Sequence, residues 1–371
     1  MRNQCSFLLV FVLAMLFVPA NLFAQNPTER SPRALELPDI SIIGDITTYF
    51  TSLEDQEEDN HIRVREVELA IGGFLYPGIR ADVYAALHYH EGAYETELEE
   101  AYVNFLQTPI RGLSFKVGKQ YLNIGKINSL HPHSWNYVTR PIVHSAFLGD
   151  HGLAATGITS ALLIPAPFFL QIELGAWHTD AAHEHEEEAE EGDHDEGEEH
   201  EHHHEFGLAG ETYSGRLWTS FPIAGSSELE IGASGVKSQG PHHEEEQDDV
   251  TLTSADLTWR SVLSAYRKVT IQGEWYHLDR SMEEGDFQRT GGFVFAGFRF
   301  DRRWDIGARY DWTEMPVHES EEQSRASLIL THSLSEMTRI RAQYDYDIEN
   351  EEHEGFIQIL FGIGPHSHAL Q

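Results

Sequence analysis

Apolar and polar residues alternate one for one in segment after segment of this chain. Across 79–89, Ile79, Ala81, Val83, Ala85, Leu87 and Tyr89 share one face, and Arg80, Asp82, Tyr84, Ala86 and His88 share the other. Across 304–312, Trp304, Ile306, Ala308, Tyr310 and Trp312 oppose Asp305, Gly307, Arg309 and Asp311. Across 339–348, Ile340, Ala342, Tyr344, Tyr346 and Ile348 oppose Arg341, Gln343, Asp345 and Asp347. Period two is the signature of a strand with one wet and one dry face. The charges fall in the middle of the segments, not only at their ends. A soluble sandwich would turn such faces to bulk water. A transmembrane barrel would turn the apolar face to lipid and the charged face to a wet lumen. Aromatics near segment ends (Tyr89, Trp177, Trp275, Trp304, Trp312) suit the interfacial girdles of a barrel.

Counting decides between the two. The pattern predicts strands at 39–51, 61–75, 79–90, 96–108, 113–122, 152–164, 168–178, 207–221, 227–238, 250–263, 267–280, 289–301, 303–314, 324–335, 337–349 and 354–363. That is about sixteen, the even number of a bacterial single-chain barrel, with fourteen and eighteen as the neighbouring possibilities. Short connections (76–78, 109–112, 165–167, 222–226, 301–302) alternate with long or polar ones (52–60, 123–151, 179–206, 239–249, 281–288, 315–323). Short periplasmic turns and long external loops explain that two-beat order, which a soluble fold has no reason to keep. The expected fold is therefore all-β: a transmembrane antiparallel β-barrel.

Other features bound the compartment and the chemistry. Residues 1–24 read as a signal peptide, with Arg2, an apolar stretch over 7–18, Pro19 and small residues at Ala20 and Ala24. The stretch is too short to span a bilayer as a helix, and no apolar run elsewhere reaches the ~20 residues required. Export would remove the single cysteine, Cys5, leaving no thiolate ligand, disulfide or Cys nucleophile over 25–371, which is expected to form one barrel domain. A formal charge of −36 excludes a nucleic-acid partner, since phosphate binding needs clustered Lys and Arg. The expected location is the outer membrane of a Gram-negative bacterium, with its lipid as a partner and a homo-oligomer left open.

The run Phe115-Lys116-Val117-Gly118-Lys119-Gln120-Tyr121-Leu122-Asn123-Ile124-Gly125-Lys126-Ile127-Asn128 resembles the strand-and-loop signature of phosphate-selective porin O/P-like outer-membrane proteins, with Ile124 where that pattern carries Phe. The following His131-Pro132-His133-Ser134-Trp135, Arg140-Pro141 and Phe147 to Gly152, and the tail Gly364-Pro365-His366-Ser367-His368, resemble the His-rich-loop, zinc-regulated or metal-related branch of that superfamily. The close match covers about 50 residues and this tail. It implies a porin barrel. Phosphate selectivity is not carried over, because the expected lumen face tilts acidic. Glu66, Glu68, Asp82, Glu100, Glu173, Glu228, Glu230, Glu274, Asp305, Asp311, Asp345 and Asp347 stand there against Arg80, Lys116, Arg216, Arg299, Arg309 and Arg341. Carboxylate rings favour cations.

The sharpest chemical feature is the run 178–205, with 8 His and 14 acidic residues in 28 positions and no Lys or Arg. Its composition cannot bury enough apolar surface to order itself, so a disordered external loop is expected over about 179–206. His183, His185, His194, His200, His202, His203 and His204 are its candidate ligands for zinc or another divalent transition metal. The stretch 123–151 carries Leu130, Trp135, Tyr137, Ile142, Val143, Phe147 and Leu148 and should fold against something. An in-folded constriction loop is expected, with His131, His133, His144 and Lys126 at the narrowest point. No His-Glu-x-x-His lies on an ordered element, so no enzyme is expected and no cofactor is required. The leading reading is a passive channel for small solutes, divalent metal cations first. The alternatives are a general porin whose loop only buffers or senses metal, and a secreted metal-sequestering protein without a pore.

Deleting 181–205 should leave heat-modifiable gel migration intact while removing a zinc affinity that is weak near about pH 5 and strong by about pH 8, because imidazole binds metal only when neutral. Zinc titration of the parent and deletion chains at both pH values checks this. Equal binding at the two values would show that histidines are not the ligands.

Overall fold

The computed structural model describes residues 38–52, 61–90, 92–179, 208–223, 225–239, 249–281, 286–316 and 321–365. Residues 1–24, most of the 179–206 loop with all seven of its candidate ligands, and the tail histidines His366 and His368 lie outside them.

Sixteen strands close on themselves. They are β1 (Asp39–Thr51), β2 (Ile62–Tyr76), β3 (Ile79–His90), β4 (Ala93–Phe105), β5 (Leu113–Tyr121), β6 (Ala154–Leu163), β7 (Phe169–Thr179) and β8 (Ala209–Pro222), followed by β9 (Ser227–Gln239), β10 (Asp249–Val262), β11 (Lys268–Ser281), β12 (Phe287–Arg299), β13 (Trp304–Glu314), β14 (Glu322–Ser333), β15 (Thr338–Asp347) and β16 (Glu352–Ile363). Every strand pairs antiparallel with its sequence neighbours, and β1 pairs with β16 from Ile42↔Ile363 to Thr51↔Glu354. The closed ladder leaves no edge, which is what allows strands to sit in hydrocarbon, where unpaired backbone groups cost several kcal/mol each.

The burial pattern is inverted relative to a water-soluble protein. Outward positions hold exposed Leu69, Val83, Ile158, Leu174, Ile231, Leu257, Val294, Leu328 and Ile359. The alternate positions hold buried Glu68, Asp82, Glu230, Asp256, Glu274, Arg309, Arg341 and Gln358. The expected inward and outward faces are those observed, except at Trp177, which was expected in the outer girdle and instead turns inward into the buried apolar cluster. The main boundary difference is β4, expected at 96–108 and found at Ala93–Phe105. It starts early because Ala93 pairs with His90 and Tyr94 with Tyr89 in a tight hairpin. It ends early because the Thr108 hydroxyl bonds Ile110 and Leu113 and starts the turn. Beside that turn, at the same end of the barrel, the β2–β3 turn is Pro77-Gly78, with Gly78 at φ +82°, a conformation that favours glycine.

The register shifts at four places among the described strands, and two of these β-bulges shape the lumen wall. Asp45 pairs with Glu66 and Ile46 with Val64, so Arg65 is the extra residue in β2. Tyr84 pairs with Glu100 and Ala85 with Leu98, so Glu99 is the extra residue in β4. A bulge lets consecutive side chains face the same side.

Between β5 and β6 the chain enters the lumen. Two short 3-10 turns (Ile127–Ser129 and Pro132–Ser134) and α1 (Ile142–Leu148) form this segment. Its Leu122, Ile124, Trp135, Tyr137, Val143 and Phe147 pack with Val236, Leu252, Tyr276, Leu278, Phe293 and Phe295 of the wall into one apolar core. Full burial of such a side chain contributes about 1.5–3 kcal/mol.

Leu257 is exposed on the outer face, opposite Ile231 and Gly273 on the flanking strands. Leu257→Arg should cost about 2–4 kcal/mol of folding into lipid, the penalty for a cation near the bilayer midplane. Denaturant titration from vesicles, followed by tryptophan fluorescence, measures it. A change under about 0.5 kcal/mol, typical of an ordinary surface site, would contradict a lipid-facing position.

Candidate functional site: the inserted loop and the lumen wall

The inserted segment is closed at its neck by a side chain. Asn128 donates to the Leu122 carbonyl at 2.7 Å and the Leu153 carbonyl at 3.0 Å, and it accepts from the Leu153 amide at 2.9 Å. The backbone then runs tight against the wall. At Gly125, φ is +61° and a Cβ would meet the Tyr276 hydroxyl at 2.0 Å.

Irregular backbone inside a barrel needs hydrogen-bond partners, and buried charged side chains supply them. The Lys126 and Ile127 amides both donate to Glu274 Oε1 at 2.8 Å. The Tyr276 hydroxyl donates to Glu274 Oε2 at 2.7 Å, and His144 Nε2 lies 2.9 Å from the same oxygen. On the far wall, Arg341 donates to the Tyr137 carbonyl at 2.7 Å and the Trp135 carbonyl at 2.9 Å. Arg309 donates to the Thr139 carbonyl at 2.6 Å, with its guanidinium 4.3 Å from the Tyr137 ring centroid. Arg65 donates to the Val138 carbonyl at 2.9 Å and also binds Asp45.

Lys126, His131, His133 and His144 all lie inside the barrel and are buried. His144 is 0% exposed and is wedged by Glu274, Tyr276 and Phe293. Lys126 reaches Glu230 Oε1 at 2.7 Å, and burial lowers its ammonium below the ordinary lysine value against the pull of that carboxylate. Lys126 and His131 border a cavity of about 560 Å³, also lined by Glu100, Lys116, Glu173 and Glu230. His133 does not border this cavity; its Nδ1 lies 3.3 Å from Glu68 Oε2.

His131 is the centre of the acidic side. Its Nδ1 is 3.0 Å from Glu68 Oε2 and 3.3 Å from Glu99 Oε2, while its Nε2 is 3.3 Å from Glu100 Oε2. Burial alone would lower the imidazole, but hydrogen bonds with Glu100, Glu68 and Glu99 outweigh it and raise its pKa well above the ordinary histidine value. A second hollow, of about 190 Å³, opens beside this cluster and is lined by Glu66, His88, Glu99, Arg140 and His151. A third cavity, of about 600 Å³, is basic: Lys268, Arg299, Arg302, Arg303, Arg339 and Arg341 line it against Asp305 and Glu336. It borders the short-turn end of β11–β15. Glu99 and Arg65 escaped the sequence reading, because strict alternation turns both outward and only a bulge brings them in. Asp45 and Asp256 alternate inward and were legible but not singled out.

Arg341→Met should free the Trp135 and Tyr137 carbonyls, each losing a charged hydrogen bond of about 1.5–3 kcal/mol. The barrel should keep its heat-modifiable migration while the loop loosens. Single-channel conductance should rise and become noisier, and protease should cut within 122–153. Conductance and cleavage identical to the parent would show that Arg341 does not hold the loop.

No family model matches the chain. It is 26% identical over 387 residues to an uncharacterized protein of Aquifex aeolicus, a match covering 89% of this chain and 79% of that one. Among solved structures, it is similar in fold to the loop L8 deletion mutant of OmpT, an outer-membrane protein of Vibrio cholerae (TM-score 0.56, 11% identity, 88% of this chain and 100% of that one). It is similar to the anion-selective porin of Comamonas acidovorans (TM-score 0.57, 8% identity, 88% and 100% covered). It is also similar to the outer-membrane channel DcaP of Acinetobacter baumannii (TM-score 0.56, 8% identity, 89% and 99% covered). A closed sixteen-stranded barrel with an apolar outer belt and a charged interior is an outer-membrane architecture, and the chain has the fold of outer-membrane porins.

Proposed function

We propose that this barrel is a passive outer-membrane channel with a preference for cations, and that divalent metals, zinc first, are its cargo. The carrying observation is a band of carboxylates and imidazoles contributed by β2–β4, the inserted segment, β7 and β9. It continues from the hollow lined by Glu66, His88, Glu99 and His151, through Glu68 and His131, to the cavity lined by Glu100, Glu173 and Glu230. Such a band raises the local cation concentration, and several weak sites in series let an ion move on. The His/Glu-rich run 178–205 would feed it by capturing metal on the outside. There is no chemical step in this reading.

A general porin remains the second reading, favoured by the six cationic side chains around the basic cavity near the β11–β15 turns. The reversal potential across a planar bilayer under a salt gradient separates the two. The expected sign is cation-selective, and added zinc should reduce potassium current by competing for the acidic wall. An anion-selective potential, insensitive to zinc, would hand the pore to the arginine cavity and overturn the metal-cargo reading.

A further inference from the structure

We infer that Glu68, Glu99 and His131 form a binding site for one divalent transition-metal ion, zinc being the best fit, buried where the inserted loop meets the lumen wall. The ligand atoms are Glu68 Oε2, Glu99 Oε2 and His131 Nδ1, which lie within 4.8 Å of one another. The two distances from His131 Nδ1 are 3.0 and 3.3 Å. Ligands bound to zinc at ~2.0–2.1 Å in a tetrahedron stand about 3.3 Å apart. The two sides that meet at His131 are thus already close to the length an ion requires, and the third is within 4.8 Å.

The surroundings point the same way. Both Glu68 carboxylate oxygens, and Oε2 of Glu99, are buried and, the imidazoles of His131 and His133 apart, meet no hydrogen-bond donor among the described residues. Glu68 is 1% exposed and Glu99 2%, so both are shielded from bulk solvent. Buried carboxylates this close repel unless a cation joins them. The hydrogen bonds that Glu99 and Glu100 accept from outside the cluster come from Tyr121, through its hydroxyl and its amide. Beyond the ligand atoms, His131 Nε2 faces Glu100 Oε2, the arrangement in which a carboxylate takes the second ring proton and orients an imidazole for a metal. Tyr84 and Tyr121 pack on the ring with centroids 4.9 and 5.6 Å away and hold its orientation. Two carboxylates and an imidazole suit zinc, and the site borders open space on both sides, through Glu99 and through His131.

The site joins β2, β4 and the inserted loop, so an ion would cross-link the loop to the wall. This inference does not rest on the channel reading: an anion-selective pore would leave it standing. The test uses the full chain, refolded in detergent, stripped with chelator and equilibrated with zinc alone. Anomalous scattering at the zinc edge from crystals of the unmodified protein should place a peak between Glu68, Glu99 and His131, distinct from any ion on 178–205. No peak there would overturn the site and leave His131 as a buried imidazolium paired with three glutamates. In solution, Glu68→Gln keeps the size and should lower zinc stoichiometry by one ion per chain, with heat-modifiable migration reporting the fold. An unchanged stoichiometry in the folded variant overturns the site. Should that variant fail to fold, the diffraction peak decides. Calcium displacing the ion as well as zinc binds would exclude the imidazole from the ligand set and also overturn the proposal.

Discussion

Backbone that enters a barrel lumen must find hydrogen-bond partners there, and this molecule meets that demand with charged side chains. The segment between β5 and β6 is neither a long helix nor a strand, so much of its backbone cannot pair internally. Glu274 accepts two consecutive amides, and Arg341, Arg309 and Arg65 between them donate to the carbonyls of Trp135, Tyr137, Val138 and Thr139. The apolar half of the loop packs on Leu252, Tyr276 and Phe293 in the same step. Lumen charges that look like a selectivity device therefore divide into two sets, one spent on holding the loop and one left facing open space.

The division is also spatial. Carboxylates and imidazoles gather on β2–β4, while guanidiniums gather at the turn end of β11–β15. Arg309 is paired with Asp311, and Arg216 with Asp256, so these pairs contribute little net field. The loop stands between the two charged regions. The two groups set up a field directed across the lumen as well as along it.

Much of the barrel was legible in the residues. Period-two alternation placed Ile231 and Leu257 outside and Glu230 and Asp345 inside, because lipid and lumen impose opposite demands on successive side chains. The bulges were not legible: nothing in the local pattern at Arg65 or Glu99 marks an extra residue, and each arises from the register of two strands. The apolar content of 123–151 pointed to a loop that packs on something, and it does. That content could not separate His131, held by three glutamates, from His144, packed against a tyrosine and a phenylalanine. The glutamates that hold each come from strands more than twenty residues away in sequence, and only closure of the barrel brings them together.

The Arg341–Trp135 hydrogen bond spans 206 positions of sequence. It joins a loop that leaves β5 to a strand that is next to last. The loop's far anchors do not exist until β13 and β15 have been laid down, and β15 is followed only by the strand that completes the seam with β1. Docking of the loop and closure of the barrel are thus late and coupled events. Until they happen, Trp135, Tyr137 and Phe147 have no finished surface to cover, and the half-built barrel carries both an open edge and an undocked apolar segment. The molecule's most vulnerable moment is therefore the last stage of assembly, when a holding partner would have to shield the loop and the free strand together.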